Sequence, residues 1–285
     1  MLDLFTNPAF RGPLAAAVAL GAACALLSVL VVLRRWAFIG EGISHAGFGG
    51  VGTAWLLSLA VPALGGHDAA YVVAVAFCLA MAVTIGFVSR RDRLNADAAI
   101  GIVMVASLAW GFIALTVYER AGRPHGAPSG WDLYLLGDLR AVTTAAAVRA
   151  VIVSAAVCAA LWLMAKEILF YCLDPELAEL AGVRATAVHY TLMLLLALVI
   201  VTGMQLAGYL LVTALLVLPG ATALSLSQRL RTVLTIAVIV GVTGTVGGLA
   251  LKAAWHFLPT GPAMALILIA EFALAYAYRL VARRA

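Results

Sequence analysis

The sequence predicts an all-α integral membrane protein with about nine transmembrane helices, eight being the alternative count. Two observations carry this reading. Of 285 residues, 65% are hydrophobic and 11% are charged, against roughly 25% charged in water-soluble domains; so apolar a chain has too few polar groups to cover a surface in water. The apolar residues are also gathered into runs of about 20, the length needed to cross a hydrocarbon core of about 30 Å.

Taken in order, the runs fall near 13–33, 38–62, 69–88, 97–118, 144–165, 187–203, 207–226, 232–251 and 262–280. The opening segment MLDLFTNPAFRGP has neither the basic start nor the small-residue cleavage site of a signal peptide, so the first run is expected to remain as a span. Runs six and seven are separated only by Gly203 to Ala207; joining them as one broken helix gives the count of eight. The cysteines Cys24, Cys78, Cys158 and Cys172 form no CxxC pair and read as small buried hydrophobes rather than a disulfide framework.

Orientation follows from the basic residues. With nine spans, Arg34, Arg35, Arg90, Arg91, Arg93, Lys166, Arg184, Arg229, Arg231, Arg279, Arg283 and Arg284 share one side. Arg11, Arg120, Arg123, Arg140, Arg149 and Lys252 share the other. The positive-inside rule then places the N-terminus outside and the C-terminus in the cytoplasm. These short basic clusters suit phospholipid headgroups; no nucleic-acid partner is implied. Two connections are long. The outer one, 119–143, carries Trp131, Asp132, Tyr134 and Asp138, and its aromatic residues suit an interfacial helix. The inner one, 166–186, reads KEILFYCLDPELAELAGVRAT. The chain is therefore one transmembrane domain, 1–285, with no soluble domain.

The chain has no GxxxxGK[ST] phosphate loop, so it does not hydrolyse ATP by itself. It also lacks GxSxG and HExxH, so an intramembrane hydrolase could rest only on Glu41 and His45.

The most informative stretch is Gly40-Glu41-Gly42-Ile43-Ser44-His45-Ala46-Gly47. Glu41 and His45 stand at i and i+4, on one face of a helix. If Trp36 marks the interface, a rise of about 1.5 Å per residue places His45 roughly 13 Å deep, close to mid-membrane. Ionisable groups at that depth point to function. A carboxylate and an imidazole suit first-row divalent ions such as zinc, manganese or ferrous iron. One helix offers two ligands, and a second copy across a two-fold axis would complete four. Glycines 42, 47, 49, 50 and 52 would let another helix approach closely or let backbone line a cavity. The alternative is a snorkelling glutamate beside a histidine bonded to a carbonyl.

At this stretch the sequence resembles the membrane subunits of the ABC importers for zinc, manganese and iron. Their G-D-A-hydrophobic-S-H-A motif is matched by GEGISHA, with Glu for Asp and Gly for Ala. The exchange keeps a carboxylate and lengthens it by one methylene, which bears on ion preference. Asp174-Pro175-Glu176-Leu177-Ala178-Glu179-Leu180-Ala181-Gly182 resembles the family's D-P-E-x-A-x-x-x-G segment, the short helix that docks on the ATPase subunit. Its chemistry fits a compact lever: Asp174 caps, Pro175 takes the first helical position and Gly182 ends the helix. Leu215–Ala223, with Pro219, resembles LL-hydrophobic-LPAATA, and Leu258–Ala263 resembles LPTGPA. Pro219 removes one hydrogen bond within the membrane and is expected to leave a kink.

The resemblance runs in order along nearly the whole chain and implies the permease fold of the vitamin B12/metal-chelate importers. It implies alternating access, with the metal ion as cargo passing Glu41 and His45 and no permanently bound cofactor. It also implies the residues Asp174, Pro175, Glu176, Ala178 and Gly182 as the ATPase contact. The implied partners are a cytoplasmic ABC ATPase, an extracytoplasmic metal-binding protein and a second permease subunit, in the inner membrane of a bacterium. A secondary transporter or channel is the competing class. Of the remaining polar residues, Glu271 falls mid-span and reads as a packed acid, with a secondary place on the pathway as the alternative. His189 is expected at the cytoplasmic interface, and His67 with Asp68 in a short outer loop. His125 and His256 carry no assigned role, while Asp132 and Asp138 are candidates for meeting the binding protein.

Overall fold

The computed structural model describes residues 8–91, 96–122, 142–255 and 257–282. They form helices α1 (Pro8–Leu33), α2 (Ala37–Ala60), α3 (His67–Arg91), α4 (Ala96–Arg120), α5 (Thr144–Leu163), α6 (Ala165–Leu173), α7 (Pro175–Leu180), α8 (Ala185–Ala207), α9 (Tyr209–Leu226), α10 (Leu230–Ala254) and α11 (Thr260–Ala282), with a 3₁₀ turn at Pro62–Gly65. Among the described residues, every helix except α6 and α7 is 18 residues or longer, and these nine correspond to the nine apolar runs. Eight of them stand out as candidate spans by length and composition, and the ninth, α2, is the helix of Glu41 and His45.

Many large apolar side chains face outward, among them Ile102, Val105, Phe112 and Ile113 on α4, Ile152 on α5, and Leu274 and Val281 on α11. A continuous apolar exterior of this kind is solvated by lipid tails and would be an aggregation surface in water. The chain is thus a multi-pass membrane protein. All four cysteines are free thiols.

The helices fall into two compact units. The first contains Met1–Ala37, Asp132–Ala185 and Thr202–Ala285. Within it, α1 packs on α5, α9 and α10, α9 also packs on α10 and α11, and α10 packs on α11. Small residues make these approaches possible: a methyl group on Gly220 of α9 would stand 2.5 Å from the Ser28 carbonyl oxygen of α1 and 2.8 Å from the Val29 nitrogen. Because those atoms are backbone, they cannot swing aside. Gly220→Ala is therefore expected to destabilise the protein by about 1–3 kcal/mol, the usual cost of overpacking, read as a lower unfolding temperature of the detergent-solubilised protein.

The second unit contains Phe38–Trp131 and Thr186–Val201. Its centre is α2, which glycines set directly against α3 and α4. A methyl at Gly49 would come within 2.9 Å of the Ser107 carbonyl oxygen, and one at Gly52 within 2.9 Å of the Gly111 oxygen. Trp110 Nε1 donates to Thr53 Oγ1 at 2.8 Å, tying α4 to α2, and Cys78 Sγ donates to the Ile43 carbonyl at 3.8 Å, tying α3 to α2.

Two details depart from the sequence reading, the break between spans six and seven and the inner connection. The break between spans six and seven lies at Gly208 rather than at 203–207, because Gly208 takes φ +81°, a conformation open to glycine at little cost. Pro219 lies buried inside α9, which runs from Tyr209 to Leu226. The inner connection contains an additional helix, α6, whose buried Ile168, Tyr171 and Cys172 follow the i, i+3, i+4 spacing of an amphipathic face. His189 lies one turn inside α8 and is 5% exposed, with its ring edge on Tyr190.

Candidate metal pathway and coupling helix

Glu41 and His45 occupy the second and third turns of α2, where their i,i+4 spacing brings the side chains together as the sequence requires. His45 Nδ1 lies 2.9 Å from the Glu41 carbonyl oxygen and 3.6 Å from Glu41 Oε1. A carbonyl only accepts, so Nδ1 is the donor in this contact, and in the neutral ring the lone pair would then lie on Nε2. This is the arrangement by which a hydrogen bond at one ring nitrogen prepares the other as a metal ligand. The hydrogen bond to a carbonyl is also what the non-ligand alternative requires of His45, and it engages Nδ1.

The two side chains are accessible as well as paired. His45 is 17% exposed and Glu41 is 34% exposed, within a helix whose neighbouring residues Gly42, Ile43, Ser44, Ala46 and Gly47 are buried. Ser44 satisfies itself by donating to the Gly40 carbonyl at 2.7 Å, so it adds no unmet polar demand. The His45 ring stands edge-on to Phe48 with centroids 6.2 Å apart, which limits its swing. Among the described residues no group of three or more His, Cys, Asp or Glu side chains converges. The pair brings together a carboxylate and an imidazole, donors of the kind first-row divalent ions take.

The second candidate region is the connection before α8. Asp174 accepts hydrogen bonds through Oδ1 from the backbone N–H groups of Glu176 at 2.9 Å and Leu177 at 3.1 Å, and Pro175 holds the first helical position. At the other end Gly182, at φ +83°, donates to the Glu179 carbonyl at 3.0 Å, and Val183 donates to the Ala178 carbonyl at 2.9 Å. This 6→1, 5→2 pair is a Schellman stop. Helix α7 is therefore capped at both ends, with Ala178 buried beneath it and Glu176, Leu177, Glu179 and Leu180 exposed. Leu180 is 85% exposed, an apolar group held out on a rigid turn. Such a presentation suits a protein surface.

Glu271 lies on α11 against α10, with Oε2 buried and 3.5 Å from where a methyl on Gly244 would sit. His67 opens α3 and Asp68 is exposed in its first turn. Trp131, Asp132, Tyr134, Asp138, His125 and His256 lie outside the described residues.

The model of the ABC 3 transport family matches residues 8–279. The chain belongs to that family. Among its relatives, the manganese transport system membrane protein MntB of Synechocystis is 33% identical over 258 residues, covering 90% of this chain and 78% of the relative. The chelated iron transport system membrane protein YfeD of Yersinia pestis is 29% identical over 275 residues, covering 96% and 86%. The solved PsaBC structure from Streptococcus pneumoniae, in complex with a Fab, has the same fold at a TM-score of 0.79 and 29% identity, covering 96% of this chain and 93% of that one. The family match spans both packing units, and the metal-transporter permease resemblance read from GEGISHA and the DPELAELAG segment is that of the family to which the chain belongs.

Proposed function

We propose that this chain is the membrane-spanning permease subunit of an ATP-driven importer of a divalent first-row metal ion, manganese or ferrous iron, in a bacterial inner membrane. The observation that carries the reading is the Glu41–His45 pair, set side by side on α2. The relatives named for manganese and chelated iron transport support the choice of cargo.

The ion enters from a binding protein on the outer face and passes between two permease copies. Glu41 and His45 from each copy meet it near the midplane, where the carboxylate offsets its charge and imidazole Nε2 supplies a borderline-soft donor. Two ligands per copy bind weakly enough for release to stay fast, as a conduction site must. A separate cytoplasmic ATPase docks on α7. Its nucleotide cycle moves that capped helix and switches which side of the site is open, an equilibrium shift driven by differential contacts in the two states. The N-terminus lies outside and the C-terminus inside, as the arginine distribution requires.

The test is reconstitution of the permease with its ATPase subunit and binding protein in proteoliposomes. Manganese accumulation is expected only with hydrolysable nucleotide present. Accumulation driven by an imposed proton or sodium gradient without nucleotide would instead establish a secondary transporter.

A further inference from the structure

At the end of α1 the chain makes an abrupt corner. Trp36 donates to the Val31 carbonyl at 2.8 Å and Arg35 to the Val32 carbonyl at 3.1 Å, the 6→1, 5→2 pattern of a Schellman stop, with Arg35 at φ +57° where glycine is usual. The corner leads directly into α2, which begins at Ala37. Arg34 sits inside this corner between two aromatic rings. Its guanidinium carbon is 4.5 Å from the Tyr171 ring centroid and 5.2 Å from the Trp36 centroid, and the two rings stand 6.3 Å apart. It also donates from Nη1 to the Tyr171 carbonyl at 3.4 Å and from Nη2 to the Tyr171 hydroxyl at 3.3 Å.

Two properties set this cluster apart from a simple anchor. The charge has no carboxylate: among the described residues no acid forms an ion pair with Arg34, and its Nε is buried without a hydrogen-bond partner. The neighbouring Cys172 thiol does not supply an anion, because burial pushes it up to about 11 against the pull of Arg34. The contact is therefore held by ring faces and two long hydrogen bonds. Cation–π attraction varies gently as a guanidinium slides over a ring, whereas a bidentate ion pair is bound to one geometry.

The connectivity at its two ends is specific. Tyr171 precedes Asp174, the cap of α7, by three residues, on a helix (α6) that packs on both α7 and α1. Trp36 precedes Glu41 by five residues, at the entry to α2. Trp36, Arg34 and Tyr171 thus connect the end of α6 to the start of the metal-pair helix through side chains, by a path of three residues.

We infer that the Arg34–Trp36–Tyr171 cluster is the sliding joint that passes movement of the ATPase-docking helix to the helix carrying Glu41 and His45. Arg34 is a positioning residue: it touches neither metal nor nucleotide. This inference rests on the proposed function, and the experiment separates the two. The reconstituted complex is assayed for manganese accumulated and for ATP hydrolysed, using Arg34→Gln, Tyr171→Leu and Tyr171→Phe. Arg34→Gln and Tyr171→Leu are expected to assemble with the ATPase and hydrolyse ATP within about twofold of the unmodified complex, while manganese moved per ATP falls about fivefold or more, the size of an allosteric coupling of 1 kcal/mol. Tyr171→Phe keeps the ring face and is expected to hold the ratio within about twofold, since cation–π attraction depends on the face and not the hydroxyl. An unchanged ratio in the first two variants would overturn the joint, and loss of assembly in both would overturn it equally by making the cluster purely structural. If the unmodified complex fails to accumulate manganese with ATP, it is the importer reading that falls.

Discussion

Replacing Glu41 or His45 with alanine is expected to reduce metal accumulation to background while leaving expression, membrane insertion and ATPase docking intact. The size of the effect follows from the site's economy. One copy contributes two ligands, so each alanine removes half of its donors, twice over in a two-fold assembly. Loss of a partner that merely orients a ligand costs roughly 10–100-fold in metal sites, and loss of a ligand costs more. Folding should be spared because both side chains are partly exposed and the turns of α2 are held by backbone bonds and by glycine contacts elsewhere on the helix. Glu41→Asp is a sharper probe. It restores the acid of the G-D-A motif, keeps the charge and shortens the reach by one methylene, so uptake should persist while the order of preference among manganese, iron and zinc changes. Competition uptake with each metal in turn measures this. Near-normal uptake in both alanine variants would remove the pair from the pathway.

The second large effect is expected at α7. Glu176→Arg reverses an exposed charge on the docking face, and Gly182→Pro dismantles the end of the helix. Proline cannot reach φ +83° and has no N–H to give the Glu179 carbonyl, so both elements of the Schellman stop are lost at that residue. Together they should release the ATPase subunit or leave it hydrolysing without transport. Co-purification of the ATPase with tagged permease, beside uptake, separates these outcomes. Undiminished assembly and transport would show that the ATPase docks elsewhere. Neither change touches Glu41 or His45, so the two experiments report on separate parts of the mechanism.

Much of this architecture was legible in the chain because lipid imposes a simple code. A span must be apolar for about 20 residues and must satisfy its own backbone, and the nine runs found on that basis are the nine long helices. Helix α2 shows the limit of hydropathy. Its Gly40, Glu41, Gly42, His45 and later glycines lower its hydropathy, yet the same residues mark it as the candidate functional helix. Helix α7 was legible for a different reason: Asp, Pro and Gly each have one dominant use at a helix end, and all three occur at the right spacing.

What the sequence left open depends on contacts remote along the chain. Helix α6 hid inside a connection because nine residues are too short for a periodicity to stand out, although Ile168, Tyr171 and Cys172 carry it. Gly208 and Gly203 are indistinguishable as letters; φ +81° at one and helical backbone at the other distinguish them only in three dimensions. The Arg34 cluster joins residues 137 apart, and nothing near either end announces the other.

The central claim is that a transported ion is held by Glu41 and His45, and the most direct measurement is magnetic resonance of manganese(II) bound to the assembled, purified transporter. The account predicts an electron spin-echo modulation from a directly coordinated imidazole nitrogen, present in the unmodified protein and absent in His45→Gln. A bound-manganese signal with no nitrogen coupling, or one that His45→Gln leaves unchanged, would contradict it.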